Sequence, residues 1–200
     1  AIRSGITTSI AALKQVFLRM GRLYLWLSGI IVLPVLMFRT PLLQLYLGPR
    51  AELYADAIPV LALTLLAQVP IFSISGLDRL AIAKGRVGRP VCVHLGRQVL
   101  NLGLTVYFLG FLRMGAIGSA LAILIANYFS FLLGYLPLSV KGFGIPLKSY
   151  FSQTLVSGLG PWIVAAGGCL LLQRFVVVET WLELAAVGAM GSAMVVCAIL

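Results

Sequence analysis

Long apolar runs without charge alternate along this chain with short segments that carry most of its charged residues. A helix needs about 20 residues to cross the hydrocarbon core of a bilayer, which is ~30 Å thick. Six runs meet or approach that length, and we name them spans A to F in chain order: 17–38, 57–77, 91–112, 114–137, 151–173 and 181–200. Because these runs lack the two-residue alternation of barrel strands, the pattern predicts an all-α, polytopic bundle of about six transmembrane helices.

Small residues recur at every fourth position on one face of each of two spans. Small side chains let helix backbones approach closely within lipid, so each face can pack against a neighbouring helix, and generic membrane composition is the alternative for each; for the span D face we expect packing. The residues are Gly118, Ala122 and Ala126 in span D, and Ala185, Ala189 and Ala193 in span F.

The composition indicates that lipid is the solvent for much of the chain. Of the 200 residues, 61% are hydrophobic and 10% are charged, and the mean hydropathy is +1.08. A soluble domain carries about 25% charged residues, and a water-soluble core of this length could not bury so much apolar surface. The 15 Lys and Arg residues outnumber the 5 Asp and Glu residues. The basic residues lie between the apolar runs, so they indicate membrane anchoring and no nucleic-acid partner.

The basic residues divide unequally between the two sides that six spans define. The first side holds eleven of the fifteen: Arg3, Lys14, Arg19, Arg22, Arg79, Lys84, Arg86, Arg89, Arg97, Lys141 and Lys148. The second side holds the other four and four of the five acidic residues: Arg39, Arg50, Arg113, Arg174, Glu52, Asp56, Glu179 and Glu183. Because basic loops stay in the cytoplasm, we expect the N-terminal end and the B–C and D–E loops to be cytoplasmic.

The sequence holds few side chains that could perform catalysis. It contains one histidine and five acidic residues, and it shows no metal-binding motif, nucleophile elbow or phosphate-binding glycine loop. Its three cysteines lie within apolar runs, without metal-type spacing or a disulfide framework. We therefore expect no enzymatic activity, no cofactor and no bound metal.

Span C carries the polar feature that bears most directly on function. His94, Arg97, Gln98 and Asn101 fall at i, i+3, i+4 and i+7, which places them on one face of a helix. This face reaches from the predicted cytoplasmic interface toward the middle of the bilayer, where polar groups are costly next to lipid. We expect the four side chains to line the bundle interior or a wet cavity and to bind substrate. Arg97 suits phosphate oxygens because its guanidinium is a fixed, forked cation.

A second interpretation of this face remains open. Arg97 lies about two helical turns inside span C, so its side chain could extend to the cytoplasmic headgroups. Gln98 and Asn101 would then only hydrogen-bond to neighbouring helices, and His94 would be an interfacial residue. Interhelical hydrogen bonding is also the expected role of three other polar residues within the spans: Gln68, Asn127 and Ser130.

The B–C loop is densely basic and admits two roles. Arg79, Lys84, Arg86 and Arg89 follow one another within a short stretch. Such a cluster can anchor the cytoplasmic end of the bundle to acidic lipid. Alternatively, it can capture a phosphate-bearing lipid headgroup on the cytoplasmic leaflet.

Several segments carry a family resemblance. Residues 41–48 read PLLQLYLG after span A, and residues 81–90 read AIAKGRVGRP between spans B and C. Residues 101–104 read NLGL, and residues 114–122 read MGAIGSALA. Over about residues 10–140, this arrangement resembles the C-terminal half of O-antigen-type polysaccharide flippases in the multidrug/oligosaccharidyl-lipid/polysaccharide exporter superfamily.

The resemblance implies two helical lobes around a central cavity, alternating access, and an undecaprenyl-pyrophosphate-linked oligosaccharide as cargo. Residues 1–200 would form one transmembrane bundle, a fragment whose N-terminal lobe belongs to the same longer chain. Its function would be to flip a precursor of cell-surface polysaccharide, such as lipopolysaccharide, with membrane lipid as a second partner. Arg97 would be a cation of the cavity by position alone, because the resemblance supplies no matching arginine.

Two other functions stay open. A cation-coupled multidrug exporter would share this architecture. A membrane glycan polymerase or ligase would belong to a different class and would need a large outer loop with arginines and acids. The outer A–B and E–F connections are short for such a loop.

The charge asymmetry generates a prediction about topology. We expect a cysteine reagent applied from outside the cell to label Tyr54→Cys readily and Ser149→Cys poorly, because Tyr54 precedes span B on the external side and Ser149 precedes span E on the cytoplasmic side. Labelling of both variants after the cells are permeabilised is the control. Preferential labelling of Ser149→Cys in intact cells would reverse the orientation.

Overall fold

The computed structural model describes residues 2–176 and 178–200, with side chains from residue 12 onward. Ala1 and Val177 of the predicted 1–200 bundle, and the side chain of Arg3, lie outside this description. Within the described ranges the chain forms helices and no β-strand. The predicted all-α fold is therefore confirmed.

Nine α-helices follow one another along the described chain, and π-helical turns extend three of them. The α-helices are α1 Ile2–Met37, α2 Arg39–Leu47, α3 Ala57–Ser73, α4 Leu77–Ala83, α5 Gly88–Val106, α6 Gly115–Ser130, α7 Leu147–Tyr150, α8 Ser157–Phe175 and α9 Trp181–Ile199. Tyr107–Phe111 continues α5, Phe131–Tyr135 and Leu138–Gly142 follow α6, and Phe151–Val156 joins α7 to α8. A 3₁₀-helix, Gly48–Tyr54, follows α2.

Five helical segments are long and apolar enough to cross a membrane. They are Ala12–Met37, Ala57–Ala83, Gly115–Gly142, Leu147–Phe175 and Trp181–Ile199. These correspond to predicted spans A, B, D, E and F. The chain is thus a multi-pass membrane protein built as a helical bundle.

Span C is a helix at the predicted place but is less apolar than the other five. Its 19 α-helical residues continue directly into five π-helical residues, which is sufficient length for a crossing. The polar face that begins at His94 lowers its hydropathy, so the segment falls outside the set of strongly apolar spans. The helix is confirmed, and its passage through the bilayer stays a prediction.

Several helix boundaries differ from the apolar runs in the sequence. α1 begins at Ile2, well before residue 17, and the segment after span A folds into α2. Span B breaks after Ser73, and α4 resumes at Leu77. Hydropathy marks the part of a helix that lipid solvates, and a helix can continue beyond that part into water, so apolar runs underestimate helix length.

The long helices form two groups that share α1. In the first group, α6 packs against both α3 and α5. In the second group, α8 and α9 pack against each other and against α1. Because α1 also packs against α3, it joins the two groups into one bundle.

Glycines on α1 allow its neighbours to approach the backbone. A Cβ added to Gly21 would overlap the Ser73 carbonyl oxygen and the Thr154 side chain, and one added to Gly29 would overlap the Trp162 ring. Trp162 Nε1 donates a hydrogen bond to the Leu25 carbonyl at 2.9 Å. These two glycines lie eight positions apart, at the place where α1 meets α3 and α8. The sequence pattern alone does not predict this junction.

A buried hydroxyl chain closes the same junction. Tyr150 is fully buried, and its hydroxyl lies 2.7 Å from Ser73 Oγ. Ser73 Oγ donates to the Pro70 carbonyl at 2.7 Å, so the Tyr150 hydroxyl is left to donate to Ser73. Thr154 Oγ1 donates to the Leu18 carbonyl at 3.1 Å. These bonds satisfy polar groups that lipid could not solvate.

Lys14 of α1, the B–C loop and the D–E loop meet at one end of the bundle. Lys84 Nζ donates to the Phe143 carbonyl at 3.3 Å, and Arg86 Nη1 donates to the Gly142 carbonyl at 3.3 Å. The Lys14 ammonium lies beside Gly144. The structure therefore brings the predicted cytoplasmic elements together, while the membrane face that this end occupies stays a prediction.

The two small-residue faces have opposite outcomes. Gly118, Ala122 and Ala126 of α6 are buried, as the spacing predicts. The packing interpretation does not hold for α9 within the described chain: its face of three alanines at 185, 189 and 193 is exposed. Instead α9 turns Gly191 toward Pro34 of α1 and Cys169 of α8. The reason is that Val187, Gly191 and Val195 form a second face on the same helix, with branched side chains that fill the groove around the glycine.

The buried face of α6 generates a prediction about packing. We expect Ala122→Leu to lower the free energy of unfolding by about 1–3 kcal/mol, because Ala122 has no exposed surface and three extra carbons would overpack the bundle. Folded yield and thermal unfolding in detergent measure the effect.

The matched control is Ala189→Leu, the same substitution on the exposed face of α9. It should leave folded yield close to that of the unmodified protein. Equal losses in both variants would show that leucine harms these helices irrespective of burial.

Candidate functional site

Helix α5 lies at the edge of the bundle and is the only predicted span with a polar face along much of its length. Pro90 sits in its first turn, where the missing N–H interrupts no helical hydrogen bond. α5 packs mainly against α6. Half-buried residues recur at helical spacing on that side: Val93, Arg97, Leu100, Asn101 and Leu104. The opposite side is open, and Val99 there is 72% exposed.

Arg97 points toward the bundle and is held by two polar contacts. Its Nη1 donates to Asn127 Oδ1 on α6 at 3.4 Å, and its Nη2 lies 3.0 Å from His94 Nδ1. Because a guanidinium only donates, Nδ1 of His94 must accept, which leaves the ring proton on Nε2. Among the described residues these contacts occupy two of the five guanidinium N–H groups, so three can bind another group.

Asn127 connects three helices through its amide. Its oxygen accepts from Arg97 of α5, and its Nδ2 donates to the Ala67 carbonyl of α3 at 2.8 Å. Asn127 itself is 6% exposed on α6. The interhelical role predicted for Asn127 is therefore confirmed, and this residue is what orients Arg97.

His94 lines a cavity of about 310 Å³ between α4 and α5. Asp78 from the first turn of α4 and the buried Tyr135 beyond α6 contribute the other polar side chains, and Val91 and Leu95 are among the apolar ones. An acid, an imidazole and a phenol thus share one small cavity near the basic end. Such a set can exchange protons or bind a cation.

The other two predicted site residues have different surroundings. Gln98 is exposed on the same flank of α5 as His94. Asn101 is half-buried, and its Oδ1 is buried without a hydrogen-bond partner among the described residues. A buried amide oxygen without a partner costs free energy, because it has lost its hydrogen bonds to water without replacing them.

The predicted polar face is therefore divided in two. Arg97 and Asn101 turn toward the bundle, whereas His94 and Gln98 occupy the open flank. At about 3.6 residues per turn His94 and Gln98 form one strip, and beyond Arg89 in the first turn the exposed residues farther round the helix are apolar side chains and glycines. Substrate binding by these four residues stays a prediction.

Sequence reasoning had assigned no site role to three residues that complete this region. The sequence predicts only an interhelical role for Asn127, and the pattern marks neither Asp78 nor Tyr135 as a site residue. The sequence does carry a signal for Asn127 and Tyr135. They lie eight positions apart, and Ser130 and Phe131 between them fall at helical spacing on the same buried face. Asp78 required the three-dimensional structure, since only the turn after α3 directs it toward α5.

In the described part of the chain, no group of three or more His, Cys, Asp or Glu side chains is arranged to hold a metal ion. Arginine, amide and hydroxyl donors dominate the region around α5. The chemistry that these groups offer is recognition of a polar or anionic group.

Asn127 of α6 and Asn101 of α5 generate a prediction about stability. We expect Asn127→Leu to lower the free energy of unfolding by about 1 kcal/mol, because it removes bonds to both Ala67 and Arg97. Asn101→Leu should be neutral or stabilising, because it removes a buried oxygen that has no partner. Unfolding in mixed micelles measures both. A larger loss for Asn101→Leu would contradict the assigned hydrogen bonds.

Comparison of the chain with family models, with curated proteins and with solved structures found no match in any of the three.

Proposed function

We propose that this chain is one helical lobe of a membrane transporter that flips a lipid-linked oligosaccharide precursor of cell-surface polysaccharide. The expected cargo is of the undecaprenyl-pyrophosphate type, and the expected location is the inner membrane of the cell. A second lobe of the same protein would form the other wall of the transport pathway.

The observation that carries this proposal is the uncovered polar flank of α5. His94 and Gln98 are exposed beside the half-buried Arg97, and beyond Arg89 in the first turn the other exposed residues of α5 are apolar side chains and glycines. An arginine at the centre of a lipid-facing helix costs ~2.5–3.5 kcal/mol on insertion scales, and polar neighbours add to that cost. A water-filled pathway shared with a second lobe removes the cost. A structural helix of a passive bundle would have no use for this strip.

The geometry suits recognition of a pyrophosphate in particular. The three guanidinium N–H groups that Arg97 keeps free can donate to phosphate oxygens, and Asn127 holds the guanidinium in place. The glycan would then pass along the polar strip, while the lipid tail stays in the bilayer beside the apolar part of α5. Movement between the two lobes would expose the site to each leaflet in turn.

The cavity beside His94 favours a second candidate, a cation-coupled exporter of the same architecture. Asp78 and His94 line it together, and a carboxylate with an imidazole is a common pair for proton or cation coupling. In that case Asp78→Asn should abolish the dependence of transport on the cation gradient. For a transporter driven without such coupling, Asp78→Asn should transport normally.

The proposed function is tested by complementation with the full-length protein in cells that lack it and no longer display the polysaccharide. We expect Arg97→Ala to reduce surface polysaccharide by more than tenfold, because one lost charge-assisted contact to phosphate is worth about 1.5–3 kcal/mol. Arg97→Lys should retain partial activity, since it keeps the charge but loses the fork.

Expression and thermal stability must be matched, because Arg97 also bonds to Asn127. Lys148→Ala, which removes one exposed basic charge near the start of α7, is the control and should transport normally. Normal transport by Arg97→Ala would show that this side chain serves only as an interfacial anchor.

A further inference from the structure

A second cleft, on the other side of α5, is lined by basic residues at its rim. It has a volume of about 730 Å³ and lies between the start of α5 and the extension of α6. Arg86, Arg89 and Lys141 supply the charge, and each is exposed. Among the described residues that line it, none is acidic. This basic cleft therefore presents three cations that the lining itself does not neutralise.

The basic residues of the B–C loop serve different purposes. Lys84 points away from the basic cleft, with its ammonium on the Phe143 carbonyl and 5.3 Å from the centre of the Phe143 ring. Burial lowers the pKa of Lys84, and the neighbouring charges of Lys14 and Arg86 lower it further. Lys84 thus ties the loop to the D–E connection. The crowding of cations at this end leaves an excess positive field, which an anion would relieve.

The floor of the basic cleft is apolar and closely packed. Val93 of α5 lies against Gly134, so closely that a Cβ on Gly134 would overlap it. Leu133 and Leu138 extend the apolar lining, and Leu133 is 63% exposed toward the outside of the bundle. A cationic rim above an apolar groove that opens sideways matches a molecule with an anionic head and an acyl chain.

We propose that the basic cleft is a binding site for an anionic phospholipid of the surrounding bilayer. Arg86, Arg89 and Lys141 contact the phosphate, and an acyl chain lies along Val93, Leu133 and Leu138. The end of the bundle with these cations is the one where a headgroup region would meet spans C and D. This site is separate from the polar flank around Arg97, and the proposal does not rest on the transport function.

A lipid fits this cleft better than a soluble anion does. A soluble phosphate would use only the rim, where exposed side chains gain little from an isolated charge pair. The apolar groove contributes only if the same ligand carries hydrocarbon, at about 25 cal/mol per Å² of buried surface. In a lipid, the headgroup and the acyl chain belong to one molecule. Once the headgroup has bound at the rim, the chain is held next to the apolar groove, and the two contacts strengthen each other.

Two exposed cysteines provide a test within the native sequence. Cys92 lines the basic cleft, and Cys197 on α9 is an internal control. The purified full chain in detergent is titrated with phosphatidylglycerol, phosphatidylcholine or inorganic phosphate. Alkylation of each cysteine by a maleimide is then followed by mass spectrometry. We expect both lipids to slow alkylation of Cys92, and the concentration needed for this protection to be at least threefold lower for phosphatidylglycerol than for phosphatidylcholine. At Cys197 the two lipids should not differ.

Every other result of this titration would overturn the proposal. Equal protection by the two lipids would mean an apolar groove without selectivity for charge. Protection by inorganic phosphate at the same concentration would mean a soluble anion site. Absence of protection at Cys92, or the same lipid preference at Cys197, would mean that no anionic lipid binds specifically in the basic cleft.

A matched pair of double variants tests the role of the rim. Arg89→Gln with Lys141→Gln removes two charges from the rim without breaking the Arg86 bond to Gly142. We expect the phosphatidylglycerol concentration for half-protection to rise about tenfold or more. Lys148→Gln with Arg174→Gln removes the same net charge from exposed positions elsewhere and should leave it unchanged. An equal shift in both pairs, or none in the first, would exclude the rim as the headgroup contact.

Discussion

Within hydrocarbon, each backbone and side-chain polar group must find its partner inside the protein, and this constraint shapes the bundle at every level. It makes the spans helical, since a helix bonds its own backbone. It also explains why several hydrogen bonds between the helices run from side chains to backbone carbonyls: Trp162 to Leu25, Asn127 to Ala67 and Thr154 to Leu18. The carbonyls of regular helices have a second lone pair to offer, so such bonds join helices without breaking either one.

The same constraint separates what the sequence could predict from what it could not. Hydropathy located the spans because it reports lipid solvation directly. It missed the early start of α1 and the break after Ser73, where helix continuity depends on neighbours and not on lipid. Small-residue spacing worked for α6 and failed for α9, because spacing identifies a face that could pack without showing which face does. Gly21 and Gly29 carry no such spacing signal. Their role in close packing is visible only in the structure, where Ser73, Thr154 and Trp162 lie against them.

The sequence predicts which residues of α5 are polar, but not which of them face the bundle and which face the open side. The i, i+3, i+4, i+7 spacing placed His94, Arg97, Gln98 and Asn101 on one helix face, and the structure has that helix. Whether a given position faces α6 or the open side depends on how far α5 is rotated about its axis. That rotation is fixed by the contact of Val93 with Gly134 and by the bond of Arg97 to Asn127. Neither contact could be read from span C by itself.

Helix α1 is the element on which both helix groups rest, and this has a mechanical consequence. The α3, α5 and α6 group touches it near Ser73, while α8 and α9 line much of its length. Ser73 and Trp162 fill the space that Gly21 and Gly29 leave on α1, and Leu25 of α1 fills the space at Gly158. Any rotation of one group relative to the other would therefore have to change the packing against α1. The buried hydrogen bond between Tyr150 and Ser73 also links α7 to α3, so a large rotation would have to break it.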